Sequence, residues 1–215
     1  MQERSERTRG RLVEAGAVQF DRSGYAGATL GGIAGAAGVT KGALYFHFAS
    51  KEELARAVVE RAEAAVRGGC TAGAGVSPLQ GLIDAGFWLV RVLESDVVVR
   101  AGFRLGREEE LWSGGATLAG SGVGGLHGVW AQMVRELLAS ARRTGELRAR
   151  SGGVGVESLA VAAACGLEVV HGSGCGGEEL ARRLGALWEW LLPCLVPPGA
   201  VGGYRTSAPQ STPGP

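Results

Sequence analysis

Between residues 29 and 54 the chain reads TLGGIAGAAGVTKGALYFHFASKEEL, a stretch that leaves few folds open. Leu30, Ile33, Ala34 and Ala37 recur at the three-to-four spacing that draws one apolar stripe along a helix. Thr29 stands where an N-cap belongs. Gly38 can take a positive φ without a Cβ clash, Val39 fills the corner, and Thr40 can cap a second helix running to about Phe48. On that second helix Leu44 and Phe48 lie four apart and should face the first helix, leaving Lys41, Gly42, Tyr45 and His47 outward. Two helices joined this tightly form a helix-turn-helix.

The outward face suits a nucleic-acid backbone. Lys41 and Lys51 are the only lysines in the chain, and they bracket this segment. Lysine supplies a point charge for phosphate. Tyr45 offers a hydroxyl for phosphate and a ring for thymine methyls, and Gly42 lets the helix backbone approach the groove. His47 and Lys51 would add flanking phosphate contacts. Net charge over the whole chain is only +1, so a coat that binds nucleic acid non-specifically is disfavoured. The cations are gathered locally: Arg4, Arg7, Arg9, Arg11, Arg22, Lys41 and Lys51 outnumber Glu3, Glu6, Glu14 and Asp21 within residues 1–51.

The stretch from about Thr8 to Leu54, with its first helix ending in Phe20, the Gly24-Tyr25 turn, AGVTKGALYFHF and SKEEL, resembles the DNA-binding domain of TetR-type transcriptional repressors. The runs VTKGALYFHF and VVVRAGFRL (Val97 to Leu105) look most like the γ-butyrolactone autoregulator receptors of actinobacteria or their pseudo-receptor relatives. The resemblance implies an all-α, TetR-like fold and a homodimer that binds a pseudo-palindromic operator in double-stranded DNA and leaves it when a small effector binds. It places the DNA contacts on Thr29, Thr40, Lys41, Gly42, Tyr45, His47 and Lys51. By order, Trp130 matches the tryptophan that lines the family's ligand cavity, beside Met133, Val134, Phe87 and Phe103. Trp188, Trp190 and Leu191 fall on the last helix, which in such proteins meets a dimer mate.

The remainder of the chain is read as helix after helix with glycine-rich breaks. A first helix over 4–22 turns Leu12, Ala15, Val18 and Phe20 or Gln19 inward. A capping box of Ser50 and Glu53 opens a linking helix near Lys51. The head is placed at 5–67, a helical ligand-binding and dimerisation domain at 68–196, and a disordered Pro/Gly/Ser-rich tail at 197–215. In the second domain helices are expected over 79–95, 97–112, 126–144, 156–171 and 178–195, with a mobile loop at 114–125.

Other chemistry is poorly supported. Cys70, Cys165, Cys175 and Cys194 have neither CxxC spacing nor histidine interleaving, so no metal or cofactor is expected and the thiols should be reduced. Two GxGxxG matches, beginning at Gly120 and Gly172, are discounted because the chain holds 38 glycines and neither match sits in a strand-to-helix frame. No stretch suggests a membrane span or a signal segment, and the expected location is the cytoplasm. An enzyme, for instance a small hydrolase using Cys165 or Cys175 with His171, is the alternative from another class; a six-residue separation puts Cys165 and His171 on different helical faces.

Overall fold

The computed structural model describes residues 2–69, 75–108, 125–148 and 154–209. Among them the helices are α1 (Gln2–Gly27), α2 (Leu30–Ala36), α3 (Lys41–His47), α4 (Lys51–Gly69), α5 (Pro78–Ser95), α6 (Val97–Arg107), α7 (Gly125–Arg143), α8 (Val154–Gly172) and α9 (Gly177–Leu195), followed by a 3-10 turn at Val201–Gly203. Among the described residues the architecture is all-α. The expected loop at 114–125 lies, except for Gly125, outside the described residues, as do Cys70, Trp112 and the end of the helix expected over 97–112.

Two compact units emerge, one of residues 1–66 with 96–129, the other of 67–95 with 130–215. Cutting the sequence once, at 67/68, therefore misses that 96–129 belongs with the head. The cause is tertiary: α6 packs along α1, and Arg100 and Arg104 are spent there. Arg100 Nε donates to Asp21 at 3.0 Å, an Arg104 N–H donates to the Asp21 carbonyl at 2.6 Å, and Glu108 accepts the Tyr25 backbone N–H at 2.6 Å. α1 runs past the expected end at 22, kinking at Gly24, where φ is 69°. Leu12, Ala15 and Phe20 are buried as expected, but Val18 is 47% exposed and Ala17 takes its place inside.

In the second unit, α5 opens on a Ser77 hydroxyl that accepts the Gln80 N–H, with Pro78 in the first turn, where its missing N–H costs nothing. Its N-terminus is also bound by Glu146, which accepts the Leu79 N–H at 3.1 Å. α5 packs on α8 and α9, and α8 on α9. The expectation of a disordered segment from 197 is overturned as far as residue 209. Arg205 pairs with Asp84 at 2.7 Å, its backbone N–H donates to Gln80 at 2.8 Å, and the Tyr204 hydroxyl donates to Glu146 at 3.3 Å. Among the described residues one helical stretch, Gly155–Gly172, is long and apolar enough by composition to cross a membrane; a single such helix does not by itself indicate a membrane protein.

Tyr25 and Tyr204 report on these contacts. Burial raises both phenols above 10.0, reinforced by the charge of Glu52 at Tyr25 and by the charge and hydrogen bond of Glu146 at Tyr204. The unfolded chain ionises at the ordinary value while the folded one resists, so the stabilisation is complete below that value and is lost as pH rises through the folded pKa values. Melting temperature should therefore fall more steeply above about pH 10. The double variant Tyr25→Phe/Tyr204→Phe should lose that alkaline component in a circular-dichroism series.

Candidate nucleic-acid interface and effector cavity

Local chemistry builds the corner of the head. The Thr29 hydroxyl accepts the Gly32 N–H at 3.1 Å, and Thr40 does the same for Ala43. At the end of α2 the Gly38 N–H donates to Gly35 and the Val39 N–H to Ala34, both at 3.0 Å, the Schellman pattern, with Gly38 at φ 64°. An Arg11 N–H donates to the Ala37 carbonyl, satisfying one more orphan of that helix end. Leu44 and Phe48 are 1% and 0% exposed, and Arg9 lies over the Phe48 ring at 5.0 Å. This fixes the roll of α3 and decides which face it shows to solvent.

That face carries Lys41, Gly42 and Tyr45, all exposed, with Thr29 and Thr40 exposed at the two N-caps and His47 half-buried. The Lys41 stem crosses α2 at Gly31, where a Cβ would come within 3.0 Å of its Cε. Phe46 is 80% exposed and edge-on to His47 at 5.2 Å. The sequence reading did not single it out, because a phenylalanine between two candidate contacts is more often core.

Lys51, expected as a phosphate contact, is engaged within the head itself. Its ammonium donates to the carbonyls of Tyr25 at 2.8 Å and Ala28 at 3.1 Å, and it sits 4.3 Å from the centre of the Tyr25 ring. It therefore ties the start of α4 to the end of α1. The adjacent capping box forms one residue out of register on its return bond: Ser50 accepts the Glu53 N–H, while Glu53 reaches back to the N–H of Ala49 at 2.7 Å.

The second unit holds a partly open cavity of about 520 Å³ lined by α5, α7, α8 and α9. Trp130 and Val134 line it from α7, Leu82 and Gly86 from α5. The other expected ligand residues lie elsewhere. Phe103 is buried in the first unit, edge-on to His127 at 5.1 Å, and neither Phe87 nor Met133 is among the lining side chains. Phe87 is buried instead near Gly185, and Met133 is half-buried. The residues assigned to a dimer seam also divide. Trp188 and Leu191 line the cavity, whereas Trp190 is 81% exposed. Helical order placed all three on α9; only packing could say which side each faces.

Among the described residues, His171 Nδ1 is buried without a hydrogen-bond partner.

Residues 12–58 match the model for bacterial regulatory proteins of the tetR family. The A-factor receptor protein of Streptomyces griseus is 32% identical over 196 residues, covering 90% of this chain and 66% of the receptor, just under two thirds of its length. A crystal structure of a gamma-butyrolactone receptor, an ArpA-like protein, superposes with a TM-score of 0.73 at 32% identity, covering 94% of each chain. CprB from Streptomyces coelicolor, solved in complex with its operator sequence, gives 0.72 at 32% identity with the same coverage. The likeness thus extends from the helix-turn-helix through the cavity-bearing helices, and this chain belongs to the tetR family of DNA-binding bacterial regulators.

Proposed function

We propose that the chain is a homodimeric repressor that reads a pseudo-palindromic operator with α3 and leaves it when a small apolar signal of the γ-butyrolactone type occupies the cavity. The observation that carries this is the division of α3 into a face locked inward by Leu44 and Phe48 and an exposed face of Lys41, Gly42 and Tyr45. A second copy is suited to the uncovered apolar side chains of α8 and α9, where Leu159, Val169 and Trp190 are 43%, 57% and 81% exposed. Thr29, Thr40 and His47 flank the reading face as backbone contacts, and Phe46 adds an apolar one. Binding an operator places this work with the chromosome, in the cytoplasm, and asks no chemical step of the protein. Release requires the signal to prefer the DNA-free conformation, since equal affinity for both states shifts nothing.

Footprinting on genomic DNA, then titration of the bound complex with a synthetic γ-butyrolactone, tests the reading. The footprint should show two half-sites about one helical turn, or a multiple, apart. Lys41→Ala should weaken all sequences and lower the slope of log affinity against log salt by about one unit, as loss of one phosphate contact does. A protein that binds DNA only without sequence preference would refute it.

A further inference from the structure

Leu44 and Phe48 fix the inward side of α3, and Phe46 lies two residues from each. At about 100° per residue its ring stands about 160° round the helix from both, in the middle of the outward face. Exposure agrees with that placement: Phe46 is 80% exposed, against 56% for Tyr45 on the shoulder of the same face. The ring meets His47 edge-on at 5.2 Å, and its outer side is left uncovered. Gly42 precedes Phe46 by four residues and so shares its side of the helix. Nothing within the described residues calls for a glycine there. Its φ is not positive, a Cβ would find no atom nearer than the Thr40 hydroxyl at 3.9 Å, and glycine weakens a helix relative to alanine. The missing side chain serves an approach from outside the chain.

We infer that Phe46, beside the bare helix surface at Gly42, reads thymine through its C5 methyl in each half-site. This rests on the operator-binding reading above. A phenyl ring has no strong hydrogen-bond donor or acceptor, so it can hold neither a phosphate nor the polar edge of a base. The major groove offers it one apolar group. Thymine carries a C5 methyl on that edge, and the other three bases do not. Packing the methyl on the ring removes apolar surface of both from water, a gain the free protein cannot make because the ring is uncovered. Gly42 lets the helix backbone come close enough for the ring to arrive. The methyl contact expected of Tyr45 therefore passes to Phe46, and the Tyr45 hydroxyl is left for phosphate.

The test uses the full chain and the operator defined by the footprint above. Duplexes are made in which each half-site thymine in turn is replaced by deoxyuridine, in both half-sites together. Uracil pairs as thymine does and lacks only the methyl. At one position the exchange should weaken binding about fourfold per half-site, or about fifteenfold for the pair. Phe46→Ala should bind thymine and uracil alike at that position, and Phe46→Leu, which keeps an apolar tip, should retain part of the difference. Because Phe46 is exposed, neither change should move the melting temperature, which separates lost reading from lost fold. A half-site without thymine, uracil tolerated at every position, or a thymine preference that persists in Phe46→Ala overturns the inference. Equal loss of affinity for operator and random DNA in Phe46→Ala overturns it too, by putting the ring on the sugar backbone. If the footprint shows no half-sites, the operator-binding reading fails and takes this inference with it; a footprint that responds to Lys41→Ala yet ignores uracil sinks Phe46 alone.

Discussion

Gly102→Val should lower the melting temperature of the protein by about 5–10 °C. A Cβ at residue 102 of α6 would lie 2.5 Å from the Ala62 Cβ of α4 and 3.1 Å from Leu126. Ala62 and Leu126 are both fully buried, and the alanine methyl is fixed to its helix, so the helices themselves must separate. Overpacking of this kind costs about 1–3 kcal/mol, and the added γ-methyls push toward the upper end. The opposing gain from removing a helical glycine is at most about 1 kcal/mol for alanine and smaller for a β-branched residue. A net loss near 2–3 kcal/mol corresponds to about 2–4 °C each for a chain of this size. Gly102→Ala places the same Cβ 2.5 Å from the Ala62 methyl, so it too should melt below wild type, by less than Gly102→Val because it lacks the γ-methyls and keeps the full propensity gain. Calorimetric scans that place Gly102→Val at the wild-type temperature would show that α4 and α6 do not approach so closely.

Lys51→Ala should cost about 2–3 kcal/mol of stability, because it strips two carbonyls at the end of α1 of a charged donor. It also takes the cation from the Tyr25 ring, while Glu108 still accepts the Tyr25 backbone N–H. The salt dependence of operator binding separates this structural role from a phosphate contact. A phosphate-binding lysine lowers the slope by about one unit when removed; a lysine that fastens two helices leaves the slope alone and reduces melting temperature instead. Denaturant titration and a salt series on the same variant decide between them. A slope reduced by one with unchanged stability would return Lys51 to the DNA.

The helix-turn-helix was legible because its determinants are local: Thr29, Gly38 and Thr40 act on backbone groups within five residues of themselves, and the apolar spacing needs no partner to be read. What periodicity reports is that a side chain is buried, not what it is buried against. Phe103 and Trp130 were equally apolar and helical, yet one packs on His127 and the other on the cavity. Trp188 and Trp190, two residues apart, were assigned together and face apart. Lys51 carried a charge and stood beside a reading head, and nothing in its neighbours announced that carbonyls more than twenty residues earlier would accept its hydrogen bonds. The boundary at 96 was hidden for the same reason, since Arg100 and Arg104 look like ordinary surface arginines until Asp21 is placed beside them.

The segment after α9 holds α5 through Arg205 on Asp84 and Gln80, and lies against α9 with the Thr206 carbonyl at Gly185. Those are two of the helices that wall the cavity. Anyone turning this regulator into a biosensor would ordinarily attach the reporter there or trim the residues as dispensable. A fusion partner that pulls Arg205 from Asp84 would instead unfasten a buttress of the sensing chamber, and an output built that way would report mechanical slack as well as ligand.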